Sequence, residues 1–372
     1  MYMIRNMFDD CLIMAGGAGT RLWPASNSGL PKQFLPVYGK KSFFSLALER
    51  ALEVTGSGQV IIITGKSFVP HVIEETARFS AAKKKRFIVI GEPVAKNTAP
   101  AIACAVVYSN FCGCNSKMLV LTSDHIIKPL ETFKNDVFLA ASAVGTGKLA
   151  VFGIPPAGPE TGFGYIEAGK KNENVYTAAA FHEKPDLKTA KKYAASKRFF
   201  WNSGMFAFSC EFMAQEFSRL APDVISPFNK LKIPKPEAYT EIKGVKILSA
   251  WPGLDNAYRK TKSISFDYAV AEKCGNTVMV RASFNWIDIG NWEEYAKICG
   301  GKDAQIFNAG SENCYVDSDI PVALAGVEDL IIVIRSGKNG SRATALITRK
   351  GQTQKVRDVV DLIKKAGRSD LL

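Results

Sequence analysis

The sequence predicts an α/β fold: a mixed, mostly parallel sheet, then a small β-rich C-terminal domain with a closing helix. Three observations predict it. Short apolar runs alternate with helical stretches through roughly the first 150 residues, the pattern of parallel strands with crossover helices on both faces. A glycine-rich turn follows the first of those runs, at the end of a strand where a parallel sheet gathers its ligands. Past about Asp303 the helical stretches give way to short strand-like runs.

Taken in order, Cys11 to Ala15 is apolar and unbroken, as a buried strand requires. A helix is expected over Phe43 to Val54, then strands at Val60–Ile63 and Phe87–Ile90, a helix over Thr98 to Tyr108, and a strand at Met118–Leu121. The middle is more mixed. Leu149–Ile154 reads as a strand, Pro155-Pro156 and Gly158-Pro159 mark a loop, and Ser226 to Tyr239 reads as a surface loop or peripheral helix. The tail offers strand-like runs at Val322–Leu324, Leu330–Ile334 and Ala343–Ile347, with no repeat strict enough for a long β-helix. From about Gln352 a helix sets Val356, Val359, Val360 and Ile363 on one face, with Lys364 and Lys365 near its end and Gly367 at the stop. Single helices of this kind usually pack on their own domain; a homodimer interface is the alternative. The division expected is a catalytic domain over 9–300 and a small C-terminal domain over 303–372.

The 372 residues carry a net charge of +13, which suits anionic ligands such as nucleotides and sugar phosphates. Nucleic acid is not expected. Runs such as Lys83-Lys84-Lys85-Arg86 are short and lack the interleaved aromatic residues of a single-strand track. No segment has the length of a membrane span, and Asp9 and Asp10 interrupt the mildly apolar start. Eight scattered cysteines suit a reducing, cytoplasmic setting, and Cys112-x-Cys114 lacks the second pair that a zinc site needs.

The most specific signal is Gly16-Gly17-Ala18-Gly19-Thr20-Arg21-Leu22-Trp23-Pro24, followed by Pro31-Lys32-Gln33-Phe34. Glycines let the backbone turn sharply, and bare N–H groups there can hold phosphate oxygens. Arg21 and Lys32 add two cations. A Walker loop is excluded because Val60 stands where Gly65-Lys66-Ser67 would need its first glycine, and a dinucleotide fingerprint is excluded by Leu22.

Further motifs carry chemistry. Asp124, in Ser123-Asp124-His125, follows a strand, where a carboxylate suits a metal shared with substrate phosphates. Asp288 lies in Trp286-Ile287-Asp288-Ile289-Gly290-Asn291-Trp292, an apolar setting in which an unpaired carboxylate is costly. Either alone also reads as a helix cap or surface ion pair. In Phe181-His182-Glu183-Lys184-Pro185, Lys184 can neutralise a phosphate and Glu183 can accept from sugar hydroxyls. Pro185 is expected to hold Lys184 extended. Gly162-Phe163-Gly164 would let main chain approach a ligand closely, and Asn202 offers a donor and an acceptor. Glu92 follows the strand at Phe87–Ile90, with Asn97 and Thr98 beyond it. Its carboxylate could accept from two donors on one edge of a ligand, or simply be exposed at a strand end. His71, His125 and His182 form no Ser-His-Asp spacing.

The ordered set, above all GGAGTRLWP and PKQF, resembles the sugar-nucleotide pyrophosphorylases, in their mannose-1-phosphate guanylyltransferase branch. The resemblance covers about 9 to 300 strongly and the tail more weakly. It implies a Rossmann-like nucleotidyltransferase domain that joins mannose 1-phosphate and GTP to give GDP-mannose and pyrophosphate. It implies Arg21, Lys32 and Lys184 as catalytic cations, and Asp124 and Asp288 as ligands of Mg2+. Nucleotide binding falls to Ala15, Gly16, Gly17, Gly19, Thr20, Glu92, Asn97 and Thr98; sugar binding to Gly164, Glu183 and Asn202. Two departures stand out: Thr122 replaces the usual Pro before Ser-Asp-His, and Phe266 the usual Ile in Ser265-Phe266-Asp267-Tyr268. No large cupin-like domain follows, so a single activity is expected. The rivals are the same reaction with another sugar 1-phosphate or NTP, and a silent regulatory subunit that binds a nucleotide sugar.

Overall fold

The structure, a computed structural model, describes residues 7–17, 19–113, 116–172, 175–300, 305–337 and 342–372. Two compact units divide it, interleaved along the sequence. The first runs to Gly16 and continues over Ala47–Ser123 and Ile127–Trp286. The second comprises Gly17–Leu46, Asp124–Ile126 and Ile287–Leu372.

The first unit is built on one eleven-stranded sheet. Its strands are β1 (Asp10–Met14), β2 (Gln59–Gly65), β3 (Phe87–Glu92), β4 (Lys117–Thr122), β5 (Leu149–Ile154), β6 (Tyr165–Asn172), β7 (Val175–His182), β8 (Phe199–Ser209), β9 (Tyr239–Ile242), β10 (Val245–Leu248) and β11 (Thr277–Arg281). Their spatial order is β9-β10-β3-β2-β1-β4-β8-β5-β11-β7-β6, with β8 also meeting β6. Only β7, β8 and β9 run against the other eight, so the sheet is mixed but mostly parallel, as expected. Central strands are buried on both faces, and β3 and β5 are buried at every position. This is why they read as continuous apolar runs without alternation.

Helix α1 (Phe43–Val54) matches its expected bounds, and α2 (Thr98–Phe111) runs about one turn longer than expected. Nearly all of α2 is buried, so it is apolar all round. The mixed middle of the chain is not a separate layer, because β5 to β11 all join the same sheet. The stretch from Ser226 to Tyr239 is mostly exposed, as expected of a surface loop, with two short turns, Phe228–Lys230 and Pro236–Ala238, and with buried Phe228, Leu231 and Ala238 as anchors.

The second unit closes around Leu22, Trp23, Leu35, Phe43, Ile289, Trp292, Tyr295, Ile331, Val356 and Val360. Its C-terminal strands are β12 (Ile306–Ala309), β13 (Tyr315–Ser318), β14 (Val322–Ala325), β15 (Leu330–Arg335) and β16 (Thr344–Arg349). Parallel partners there lie sixteen positions apart: Ile306 with Val322, Glu312 with Glu328, Tyr315 with Ile331. The strands therefore form successive turns of one coil, too short to announce itself as a repeat. The closing helix (Val356–Lys365) buries Val356 and Val360 in its own unit.

The expected boundary at 303 lies outside the described residues. Packing draws its own lines, because Leu22, Trp23 and Leu35 share a core with the C-terminal strands and helix. Cys114 of the Cys112-x-Cys114 pair also lies outside the described residues. Among those described, no helix is long and apolar enough to cross a membrane.

Candidate functional site

In the second unit the chain leaves Gly17 at φ 88° and Gly19 at φ 60°, conformations that only glycine adopts without strain. Gly19 is doubly constrained: a Cβ there would lie 2.2 Å from the Cβ of Lys32. The glycine thus lets the loop and the Lys32 segment touch. Thr20–Leu22 then form a single 3-10 turn, with Arg21 exposed and Leu22 buried. The Ser26 hydroxyl donates to the Gly19 carbonyl at 2.5 Å and ties the loop down. Among the described residues no carboxylate holds the Arg21 guanidinium, which leaves its donors available to an anion.

Lys32 opens the next turn, Lys32–Phe34, and is buried. Its Nζ donates to Asp124 Oδ2 and to Asp288 Oδ1, each at 2.9 Å. The two aspartates assigned to a metal therefore converge on a single cationic point. Burial works against the charge of both groups, but the ion pairs win. Lys32 and His125 hold the Asp124 carboxyl well below the usual range, and the two aspartates raise the Lys32 ammonium above its own. Mg2+ uses one or two carboxylates and fills the rest of its shell with water and phosphate oxygens. A pair of carboxylates already gathered around one positive charge fits that demand, and no third ligand is required.

In the first unit, the Ala15 N–H donates to the Ile63 carbonyl at 2.8 Å and its carbonyl accepts from the Thr64 hydroxyl at 2.8 Å, so the strand end is committed to the sheet. Gly16 is exposed, and a Cβ on it would stand 3.7 Å from Glu92 Oε2. Glu92 is not an exposed strand-end residue: it is 9% accessible, and its Oε1 has no hydrogen-bond partner among the described residues. Burial pushes its carboxyl up to about 7, with the neighbouring Tyr258 hydroxyl offsetting only part. Asn97, at φ 72°, caps α2 by accepting from the Thr98 N–H at 2.8 Å. The Thr98 hydroxyl accepts from the Phe266 N–H at 2.8 Å. These two residues thus hold protein structure, which short polar residues at a helix start commonly do.

Glu92 yields a prediction with a defined sign. Its native value of about 7 exceeds the ordinary 4.5, so between those limits the folded chain keeps a proton that the unfolded chain has shed. The Glu92 contribution to stability should be full below about 4.5, fall as pH rises to about 7, and level off, a total of ~3 kcal/mol. Urea midpoints across this range should show the slope in the wild type, and Glu92→Gln should remove that component. An unchanged slope would clear Glu92 of responsibility.

A second cluster of the first unit gathers Gly164, Glu183, Lys184, Asn202 and Asp267. A Cβ on Gly164 would stand 2.4 Å from Glu183 Oε2, so this glycine makes room for the carboxylate itself. The Lys184 ammonium pairs with Glu183 at 2.6 Å. Lys184 is not held extended by Pro185 but has φ 45°. The chain must turn within four residues from the end of β7 into the helix capped by Asp186, and a positive φ makes that turn. Asn202 donates to Asp267 Oδ1 at 2.7 Å and accepts from the Gly204 N–H at 3.1 Å, which leaves one N–H and one lone pair for a ligand.

Asp267 is the residue that sequence reasoning missed. Burial first, and then the Glu183 charge, push its carboxyl up. It opens a π-helical turn, Asp267–Ala271, a local irregularity frequent at functional sites. The signal was present in Ser265-Phe266-Asp267-Tyr268, where Phe266 is the more conspicuous departure. The Phe266 side chain is fully buried against Phe206, with ring centroids 4.6 Å apart, so the departure repacks the core and leaves Asp267 in place.

A family of proteins described as nucleotidyl transferases matches residues 10–301. A mannose-1-phosphate guanylyltransferase of Klebsiella pneumoniae is 34% identical across 96% of this chain and 74% of its own length. The xanthan biosynthesis protein XanB of Xanthomonas campestris pv. campestris shows the same identity and coverage. Among solved structures, a mannose-1-phosphate geranyltransferase from Thermus thermophilus superposes with a TM-score of 0.79 at 26% identity, covering 96% of this chain and 99% of that one.

Proposed function

Because this chain belongs to the nucleotidyl transferase family and is a nucleotidyltransferase, we propose that it transfers GMP from GTP to mannose 1-phosphate, giving GDP-mannose and pyrophosphate. The observation that carries the reading is the convergence of Asp124 and Asp288 on one cation beside the glycine loop. A polyphosphate with its metal suits that arrangement. The relatives named as mannose-1-phosphate guanylyltransferases support the choice of sugar and base.

A phosphate oxygen of mannose 1-phosphate attacks the α-phosphorus of GTP in line, and pyrophosphate leaves with the bonding electrons. The attacking oxygen is already ionised, so no general base is needed and His125 stays a neighbour of Asp124. Catalysis is positioning and charge neutralisation. Backbone N–H groups at Gly17, Gly19 and Thr20 bind the triphosphate. Arg21 meets the charge that grows on the leaving pyrophosphate. Lys184 holds the sugar phosphate, while Glu183, Asn202 and Asp267 bind sugar hydroxyls. Glu92 accepts from the two donors of the guanine edge. Bound Mg2+, held by Asp124 and Asp288, would neutralise phosphate charge.

The division between cations is testable by kinetics. Arg21→Ala should lower kcat with little change in KM, whereas Lys184→Ala should raise KM for mannose 1-phosphate. Both changing only the KM for nucleotide would refute these roles. The function itself is tested by pyrophosphate release across four NTPs and several sugar 1-phosphates. GTP with mannose 1-phosphate should give the highest kcat/KM. Preference for another pair would reassign the substrate, and release with none would support the silent regulator.

A further inference from the structure

We propose that the C-terminal tail, Ser369–Leu372, latches the turn that carries Arg21, so that Trp23 and the tail are positioning residues for the departure of pyrophosphate. The inference rests on the role given to Arg21 above. Arg21 has no side-chain partner of its own among the described residues, so its placement depends on the backbone of Thr20–Leu22 and on whatever holds the residues that follow. Leu22 is buried with Val356 and Val360 of the closing helix.

Trp23, 6% exposed, is gripped from two sides. Its indole N–H donates to the Leu371 carbonyl at 2.7 Å, and its own carbonyl accepts from the indole N–H of Trp292 at 2.9 Å. Five residues on, the Ser28 hydroxyl donates to the main-chain oxygen of Leu372. The tail is itself fixed: Asp370 accepts from Arg368 Nε at 2.9 Å and pairs with Arg342 Nε at 2.8 Å. A segment more than 340 positions away thus closes on the signature loop with two hydrogen bonds. An indole N–H that is buried must find an acceptor, and here the tail supplies it.

The test is a double-mutant cycle. Trp23→Phe keeps a ring and removes the N–H; deletion of 369–372 removes the acceptors. Trp23→Phe should lower kcat with GTP and mannose 1-phosphate about tenfold, the scale of one lost hydrogen bond, and the deletion, which removes two, at least as much, neither moving the KM for mannose 1-phosphate. Neither should cost anything further in an Arg21→Ala background, since the turn then carries no group to place. Hydrogen exchange at amides 20–23 should rise in both variants, a readout that stands whichever substrates the enzyme uses. Thermal unfolding of Trp23→Phe separates this effect from a general loss of fold. Unchanged exchange, unchanged kcat, or equal losses with and without Arg21 would overturn the proposal.

Discussion

Asp288→Asn is expected to lower kcat about a thousandfold while the protein stays folded. The substitution keeps the shape and one acceptor oxygen, and removes one of the two negative charges that converge on the Lys32 ammonium. Lys32 retains Asp124 at 2.9 Å, so its buried charge is not orphaned and stability should change little. With the Lys32 ammonium in place, the local charge that attracts a divalent cation falls from −1 to zero. The Mg2+ concentration for half-maximal rate should therefore rise by about one to two orders of magnitude. Titration of initial rate against Mg2+ measures both effects. Near-normal turnover at limiting Mg2+ would remove Asp288 from the metal site.

Lys32→Met is expected to damage both stability and rate. The ammonium is buried and bridges two carboxylates, and its loss leaves them facing one another without a cation. Removing one partner of a fully buried ion pair costs about 3–5 kcal/mol. The aspartate side chains here are 35% and 23% exposed, so screening by water lowers the expectation to about 1–3 kcal/mol. The pH dependence has a definite sign. Asp124 is held below the ordinary 3.8, so it contributes stability above that value and loses it as pH falls through the depressed native value. Lys32→Met should lose the larger part of this acid-side contribution and keep the part that His125 supplies. Added Mg2+ should then raise the unfolding temperature of the variant more than that of the wild type, because it restores the missing positive charge. Equal stabilisation of both proteins would mean that ammonium and metal do not share the aspartates.

The strands of the sheet were legible because strands buried on both faces are apolar without interruption, as in Val60–Ile63 and Leu149–Ile154. The Arg21 loop was legible because its glycines are forced by geometry: Gly19 must have positive φ and leave room for Lys32. The same segments concealed their tertiary allegiance. Nothing local in Leu22 or Trp23 says that they pack with Val356 and Trp292, since that contact is fixed only by long-range packing. Asp267 was obscured by the neighbouring Phe266, and the turn at Lys184 by a rule for residues before proline that the short path into the next helix overrides. The convergence of Asp124 and Asp288 on Lys32 could not be read from spacing at all, because three distant segments supply it.

In the proposed reaction a phosphate oxygen of the sugar attacks the α-phosphorus of GTP. The most direct measurement is 31P NMR of the products formed from mannose 1-phosphate labelled with 18O on its non-bridging phosphate oxygens. GDP-mannose should carry the label on its sugar-side phosphate and in the new bridge, and pyrophosphate should be free of label. Labelled pyrophosphate, or consumption of GTP without formation of a sugar nucleotide, would contradict it.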